Sequence, residues 1–156
     1  MGHPDPPRLN LGSGRRQRDG WTNVDMVGRP GTVRLDLTDA PWPWEDDTVD
    51  EIFSSDFLEH LAWDNQGDHF IRVMNECWRV LKKDGVAFHR VPERGFIGAD
   101  QDPTHRRRFV KTSFVYFDPK FPEHEHNGLD YGCQPWTILS CEVVRGYVEV
   151  KMTPIK

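Results

Sequence analysis

Leu9-Asn10-Leu11-Gly12-Ser13-Gly14 is the stretch on which the fold of this chain turns: a short apolar run that breaks into a glycine turn. Outward from it, Arg8 to Leu11 is expected to be a first strand, Thr22 to Met26 a second and Thr32 to Leu37 a third. Asp19-Gly20 and Arg29-Pro30-Gly31 supply the turn chemistry between them. Only ten residues lie between Leu11 and Thr22. A crossover containing a helix needs at least about 10–12 residues, so any helix there is limited to a single turn.

Farther along, Asp39 to Asp47 is rich in proline and acid and reads as an exposed loop, with Trp42 and Trp44 anchoring it to the body. Val49 to Ser55 is a buried fourth strand, followed by a short helix over Phe57 to Leu61. A longer helix is predicted from Asn65 to Leu81, where Phe70, Val73, Met74, Cys77, Trp78 and Leu81 recur at helical spacing. Lys82 and Lys83 fall in its last turn and Gly85 is expected to cap it. Val86 to Val91 is a fifth strand. Glu93 to Arg108 reads as a long loop, Lys111 to Phe117 as a helix and Asp118 to Gly132 as a polar loop. Thr137 to Val144 and Tyr147 to Met152 form a closing hairpin turned at Arg145-Gly146. The pattern is α/β: a Rossmann-like sheet, mostly parallel, with an antiparallel C-terminal hairpin and reduced helices. It is expected to form one domain over residues 1–156, with the proline-rich residues 1–7 flexible.

The bulk numbers narrow the class. The chain has 156 residues, 37% hydrophobic and 29% charged, a globular balance. No run approaches the roughly 20 apolar residues of a membrane helix, and Met1 to Arg8 lacks the apolar core of a signal peptide. Cys77, Cys133 and Cys141 do not form a disulfide framework, so a reducing, cytoplasmic setting is expected. A net charge of -5 argues against a general nucleic-acid binder. The basic clusters Arg15-Arg16 with Arg18, and Arg106-Arg107-Arg108 with Lys111, read first as solvated surface.

In an open α/β sheet, ligands lie beyond the carboxyl ends of the strands where strand order reverses. Gly12 and Gly14, Asp25, Asp36 with Leu37, and Ser54-Ser55-Asp56 all fall at that edge. Glycine lets a ligand approach the backbone, and a carboxylate at Asp25 can accept from both hydroxyls of a ribose. The third glycine of the dinucleotide fingerprint is replaced by Gln17. A nucleoside ligand without a diphosphate is therefore favoured over NAD or FAD.

The ordered series is recognisable. After the glycine motif come Gly20-Trp21-Thr22-Asn23-Val24-Asp25, Pro41-Trp42-Pro43-Trp44-Glu45-Asp46, Val49-Asp50-Glu51-Ile52 and Leu58-Glu59-His60-Leu61. Trp78-Arg79-Val80-Leu81-Lys82-Lys83-Asp84-Gly85 is next, then Asp102-Pro103-Thr104-His105-Arg106-Arg107-Arg108-Phe109 and Ser113-Phe114-Val115-Tyr116-Phe117. From Arg8 to Phe117 the chain resembles the type-11-like class I S-adenosylmethionine-dependent methyltransferases, especially their short bacterial and phage members. The resemblance implies that Gly12, Ser13 and Gly14, with Leu11 beside them, face the methionine part of the cofactor. It implies that Asp25 holds the ribose, that Asp36 and Leu37 flank the adenine, and that Ser55, Asp56 and Glu59-His60 line the floor beneath the sulfonium.

Methyl transfer needs alignment and exclusion of water, and a base only when the acceptor is a hydroxyl or a protonated amine. His105 and His60 are the candidate catalytic residues, with His105 favoured for acceptor contact, while His89 reads as strand packing. Arg106 to Arg108 suit an anionic small-molecule acceptor. Ser54-Ser55-Asp56-Phe57 stands where base-amino methyltransferases of DNA carry an Asn-Pro-Pro-Tyr or Asp-Pro-Pro-Tyr motif, which disfavours nucleic acid as acceptor. His124, His126, Cys133 and Cys141 match no standard zinc spacing, so no metal is expected. Two rival readings remain: a cofactor-binding regulatory subunit that requires a partner, and a nucleotide-sugar or NAD enzyme. An uncovered sheet edge would favour a homodimer.

Overall fold

The computed structural model describes residues 7–156. Expectations about residues 1–6 lie outside the described residues, and Pro7 is already tied down, its carbonyl accepting from the Asp50 amide at 3.2 Å. The strands are β1 (Arg8–Leu11), β2 (Thr22–Asp25), β3 (Thr32–Arg34), β4 (Val49–Ser55), β5 (Trp63–Asp64), β6 (Gly67–Asp68), β7 (Leu81–Pro92), β8 (Trp136–Val144) and β9 (Tyr147–Pro154). Seven of them form one sheet in the order β3-β2-β1-β4-β7-β9-β8. β1, β2, β3, β4 and β7 run parallel, and β9 enters antiparallel between β7 and β8. The mostly parallel Rossmann-like sheet with an antiparallel C-terminal hairpin is thus observed. Both turn residues of that hairpin, Arg145 (φ 50°) and Gly146 (φ 83°), have positive φ, the twist that a two-residue hairpin requires.

Two helices carry α-helical backbone: α1 (His69–Val80) and the single turn α2 (Ile97–Asp100). α1 starts four residues later than the expected Asn65. The Asp68 carboxylate accepts from the amides of Phe70 and Ile71, an N-cap, while the four residues before His69 are taken by the β5–β6 hairpin and its turn, where Gly67 has φ 125°. α1 also ends earlier, at Val80. Pairing with β4 captures the chain beyond that point: Thr48 donates to the Val80 carbonyl, and Val49 pairs with Leu81. Lys82 and Lys83 therefore belong to β7, and Gly85 is not the left-handed cap expected of it. Its hydrogen in place of a side chain allows a close approach, since a Cβ there would stand 2.9 Å from the Lys82 carbonyl and 3.1 Å from that of Asp50.

Other boundaries shift for local reasons. β2 stops at Asp25 and β3 at Arg34, so Met26, Asp36 and Leu37 lie in loops beyond the strand ends. Phe57 to Leu61 reduces to a 3-10 turn over Leu58–His60. Between Leu11 and Thr22 there is no helix at all, only turns such as Arg16 donating to the Ser13 carbonyl. Lys111–Phe117 is a 3-10 helix rather than an α-helix. With three residues per turn, Phe114 and Phe117 fall on one face, and both meet the Phe70 ring edge-on at 6.1 and 5.5 Å. The polar segment after it contains a π-helical turn, His124–Gly128.

The core lies on one face of the sheet. Leu9, Leu11, Val24, Ile52, Ala87, Val91, Val148, Val150 and Met152 point toward α1 and the loop segments, and all are buried. The alternate residues, among them Trp21, Glu51, Phe53, Phe88 and Lys151, face a shallow open hollow of about 700 Å³. Phe53 stacks on Phe88 at 5.6 Å, and the Arg18 guanidinium lies 4.1 Å over the Phe53 ring. The short link after β1 has left no helix to cover this face.

His89, in the centre of β7, is fully buried, with Nδ1 2.7 Å from the Ser54 hydroxyl. Burial pushes its imidazole down to about 4. Between pH 6.5 and 4 the unfolded chain therefore binds a proton that the folded chain refuses, and stability falls as the pH drops through that window. The loss attributable to His89 is about 2–3 kcal/mol at pH 4.5, from about 1.4 kcal/mol per pH unit. Urea unfolding at pH 7 and pH 4.5 checks this: His89→Gln should show a distinctly smaller decline than the parent, and equal declines would refute it.

Candidate functional site

Strand order reverses between β1 and β4, and a cleft of about 580 Å³ opens there beyond the strand ends. Gly12, Gly14, Asp25, Asp36, Leu37, Asp56 and His60 line it, so seven of the ten expected cofactor positions are brought together. Leu11 lies wholly buried beneath it, while Ser13 and Ser55 face a smaller neighbouring hollow. The sequence reading missed several apolar walls: Met26, Val27, Leu35, Phe57, Leu61 and Ala62. Alternation identifies apolar residues inside strands, and these stand in loops.

The glycine turn is shaped by contact. Gly12 has φ 60°, and a Cβ on it would come 2.5 Å from the Phe57 ring. Gly14 has φ 52°, and nothing lies within 4 Å of where its Cβ would stand. The Gly14 amide donates to Asp25 Oδ2 at 2.8 Å and the Val27 amide to Oδ1 at 2.9 Å, with the Arg29 guanidinium 3.3 Å away. A carboxylate offers about four lone-pair directions, so Asp25 retains acceptor capacity toward the cleft. On the far wall, Asp36 folds back on Thr38 by accepting from its amide and hydroxyl, and the buried Leu37 lines the cleft beside it. The cleft is thus largely apolar-walled, with the carboxylates of Asp25, Asp36 and Asp56 and a bare glycine backbone at its margin.

At the other end, Asp56 takes a left-handed conformation (φ 54°), uncommon outside glycine, directly after β4. Its Oδ2 receives Arg16 at 2.8 Å, the Ser55 hydroxyl at 2.9 Å and Arg90 at 3.4 Å. His60 borders the cleft there, its ring edge-on to that of His105 at 4.7 Å. His105 itself stands behind His60, its side chain only 7% exposed. Glu59, expected with His60 on the floor beneath the sulfonium, is buried, and burial raises its carboxyl to about 8. Burial and the neighbouring His105 lower the His60 imidazole.

The arginine cluster divides. Arg107 donates to the carbonyls of Leu61 and Ala62 and to the Asp68 carboxylate, so it holds the cleft wall to the start of α1. Arg108 pairs with Asp100, and Arg106 is exposed. The expected Trp anchors are buried: Trp42 donates through its indole to the Leu37 carbonyl and through its backbone to Glu76. His124 bonds the Tyr116 carbonyl and Cys141 that of Lys111, which leaves them in separate surroundings.

A profile described as a methyltransferase domain, of type 11, matches residues 9–89, just over half of the chain. The chain belongs to the type 11 methyltransferase-domain family. Solved structures agree in fold. One is an S-adenosylmethionine-dependent methyltransferase from Listeria monocytogenes (TM-score 0.58, 14% identity, 97% of this chain and 92% of that one). Another is the methyltransferase in a Haloferax volcanii complex with the Trm112 methyltransferase activator (TM-score 0.61, 14% identity, 97% and 83%). A third, from Burkholderia thailandensis, is the 1,6-didemethyltoxoflavin-N1-methyltransferase with bound S-adenosylhomocysteine (TM-score 0.59, 16% identity, 96% and 72%). No curated protein matches the chain significantly. The Rossmann-like class I methyltransferase fold of these proteins is the fold described above. No helix among the described residues is long and apolar enough to cross a membrane.

Proposed function

We propose that this type 11 family member is an enzyme that transfers the methyl group of S-adenosylmethionine to a small-molecule acceptor. The observation that carries the reading is the Gly14–Asp25 pair at the strand-order reversal, a carboxylate oriented by the glycine turn with acceptor capacity left for ribose. Gly12 and Gly14 would border the methionine portion, Asp25 the ribose, and Asp36 and Leu37 the adenine. The Arg16–Asp56 pair, beside Gly12, matches the two charges of an amino acid and would exchange partners with its carboxylate and ammonium. The sulfonium supplies an electrophilic methyl group and a neutral thioether leaving group. His60, at the opposite end from Asp25, would then take the proton of an acceptor hydroxyl, with His105 behind it. Exposed Arg106 is the cation that would favour an anionic acceptor. The reading takes residues 1–156 as one domain, in keeping with a core that runs from Leu9 to Met152, and places it in the cytoplasm, in keeping with three unpaired cysteines.

Calorimetric titration with S-adenosylmethionine, followed by transfer of labelled methyl to a panel of hydroxyl, amine and anionic acceptors, tests this. Binding with transfer is expected. A folded protein that binds no S-adenosylmethionine refutes it. Binding without transfer favours a second reading, a cofactor-binding subunit that needs a partner chain. The open sheet face with Trp21, Phe53 and Phe88 supports that alternative, and so does the Haloferax methyltransferase found with an activator. The outer edge of β8, with Leu139 and Val143 exposed, is where a homodimer would form.

A further inference from the structure

Behind the donor cleft, Glu59, His60 and His105 each direct one ligating atom into a common space, the three atoms lying within 4.8 Å of one another. Glu59 is 1% exposed, and neither of its carboxylate oxygens has a hydrogen-bond partner. Leaving such a group unsatisfied costs about 1–3 kcal/mol, more when it is charged.

The tautomers of the two rings are set by their neighbours. His105 Nδ1 lies 2.9 Å from the Ala99 carbonyl, which can only accept, so Nδ1 carries the hydrogen and Nε2 the lone pair. That Nε2 stands 3.9 Å from Glu59 Oε1 and 3.7 Å from Asp102 Oδ2. His60 Nδ1 lies 3.0 Å from the Thr104 hydroxyl, which gives its own hydrogen to Asp102 Oδ1 at 2.7 Å. His60 therefore donates through Nδ1 as well, and its Nε2 keeps a lone pair. A ring nitrogen held by an oxygen acceptor, with the other nitrogen bare, is the arrangement that orients histidine toward a metal. Two ring lone pairs and an unpartnered carboxyl converge here with no hydrogen bond among them, and a shared cation would satisfy all three.

We propose that Glu59, His60 and His105 form a binding site for a divalent transition-metal ion. Two imidazoles and one carboxylate suit Zn²⁺, Co²⁺, Ni²⁺ or Fe²⁺ rather than the all-oxygen preference of Ca²⁺ or Mg²⁺. Bonds of about 2.0–2.2 Å place donor atoms roughly 3.3–3.6 Å apart, so the ligands close in by less than about 1 Å each. Asp102, on the solvent side, offers a fourth protein ligand, its Oδ2 3.7 Å from His105 Nε2. While the ion is bound, His60 cannot take the acceptor proton assigned to it above, because a nitrogen that holds a metal cannot take a proton, so metal loading and proton transfer at His60 exclude one another.

The test needs no methyl transfer. The full-length protein, stripped by chelator, is titrated with Co²⁺ and with Zn²⁺. One ion per chain is expected, with visible ligand-field absorption for Co²⁺ and a raised melting temperature for Zn²⁺. Glu59→Gln and His105→Ala should each weaken binding at least tenfold and abolish the Zn²⁺ shift, with His60→Ala as the variant at a half-buried position should the other two fail to fold. Absence of binding to the parent protein overturns the proposal. So does binding that survives in the folded variants, which would assign the ion to another site such as His124 and His126.

Discussion

Asp25→Ala should lower the affinity for S-adenosylmethionine by about ten- to a hundredfold while the protein remains folded. Asp25 already accepts from the Gly14 and Val27 amides and from Arg29, which leaves one acceptor direction for a ribose hydroxyl. One hydrogen bond to a charged acceptor is worth roughly 1.5–3 kcal/mol, and each 1.4 kcal/mol is a factor of ten. Part of the effect is indirect, because the same carboxylate receives the Gly14 and Val27 amides. Asp25→Asn separates the contributions. It keeps one carbonyl acceptor for those amides and removes the charge, so its loss should fall between that of alanine and the parent. Calorimetry with S-adenosylhomocysteine gives the numbers directly, and an alanine variant that binds like the parent would remove Asp25 from the site.

Glu76→Ala should be the most damaging single change to stability outside the apolar core. Glu76 Oε2 accepts from the Trp42 amide and from Arg79 Nη2, both at 2.7 Å, and Oε1 accepts from Arg79 Nε at 2.8 Å. Arg79 in turn donates to the Trp42 and Trp44 carbonyls and to Asp46. This cluster ties the tryptophan loop to α1, and through Trp42 it fixes Leu37 at the cleft wall. Breaking a buried pair from one side costs about 3–5 kcal/mol, because the stranded partner loses its compensation. At about 2–4 °C per kcal/mol for a chain of this size, the melting temperature should drop by roughly 6–20 °C. Glu76→Gln, which keeps an acceptor for Trp42, should lose about half as much. A loss under about 1 kcal/mol for the alanine variant would contradict the assigned role of this buried pair.

Where burial alternates simply, the chain is legible. β1 and β4 begin and end where Leu9, Leu11, Val49 and Ile52 predict, and the hairpin turn at Arg145-Gly146 is where turn chemistry puts it. The start of α1 is not fixed by residue type, because Asn65 and Asp68 are both capable caps and only the Trp63–Asp68 pairing decides between them. Its end differs from the expected one because a lysine pair before glycine resembles a helix stop, whereas pairing with β4 outweighs local propensity. The glycines and Asp25 marked the cleft at the strand-order reversal, since backbone freedom and a carboxylate just after a strand are written in residue type. The Glu59–His105 convergence was not legible: the two stand 46 positions apart (105 − 59), and no short spacing records that they meet.

The missing helix after β1 also bears on how fast the sheet assembles. Leu9 pairs with Thr22, so the first parallel contact closes a loop of 13 residues (22 − 9). A βαβ unit spans about 30 residues. Loop-closure entropy grows as (3/2)RT ln n, which makes the shorter link about 0.7 kcal/mol easier to close. If β1–β2 pairing belongs to the folding nucleus, that difference alone speeds folding about threefold, so the truncation that bared one face of the sheet also lowered the kinetic barrier to building it.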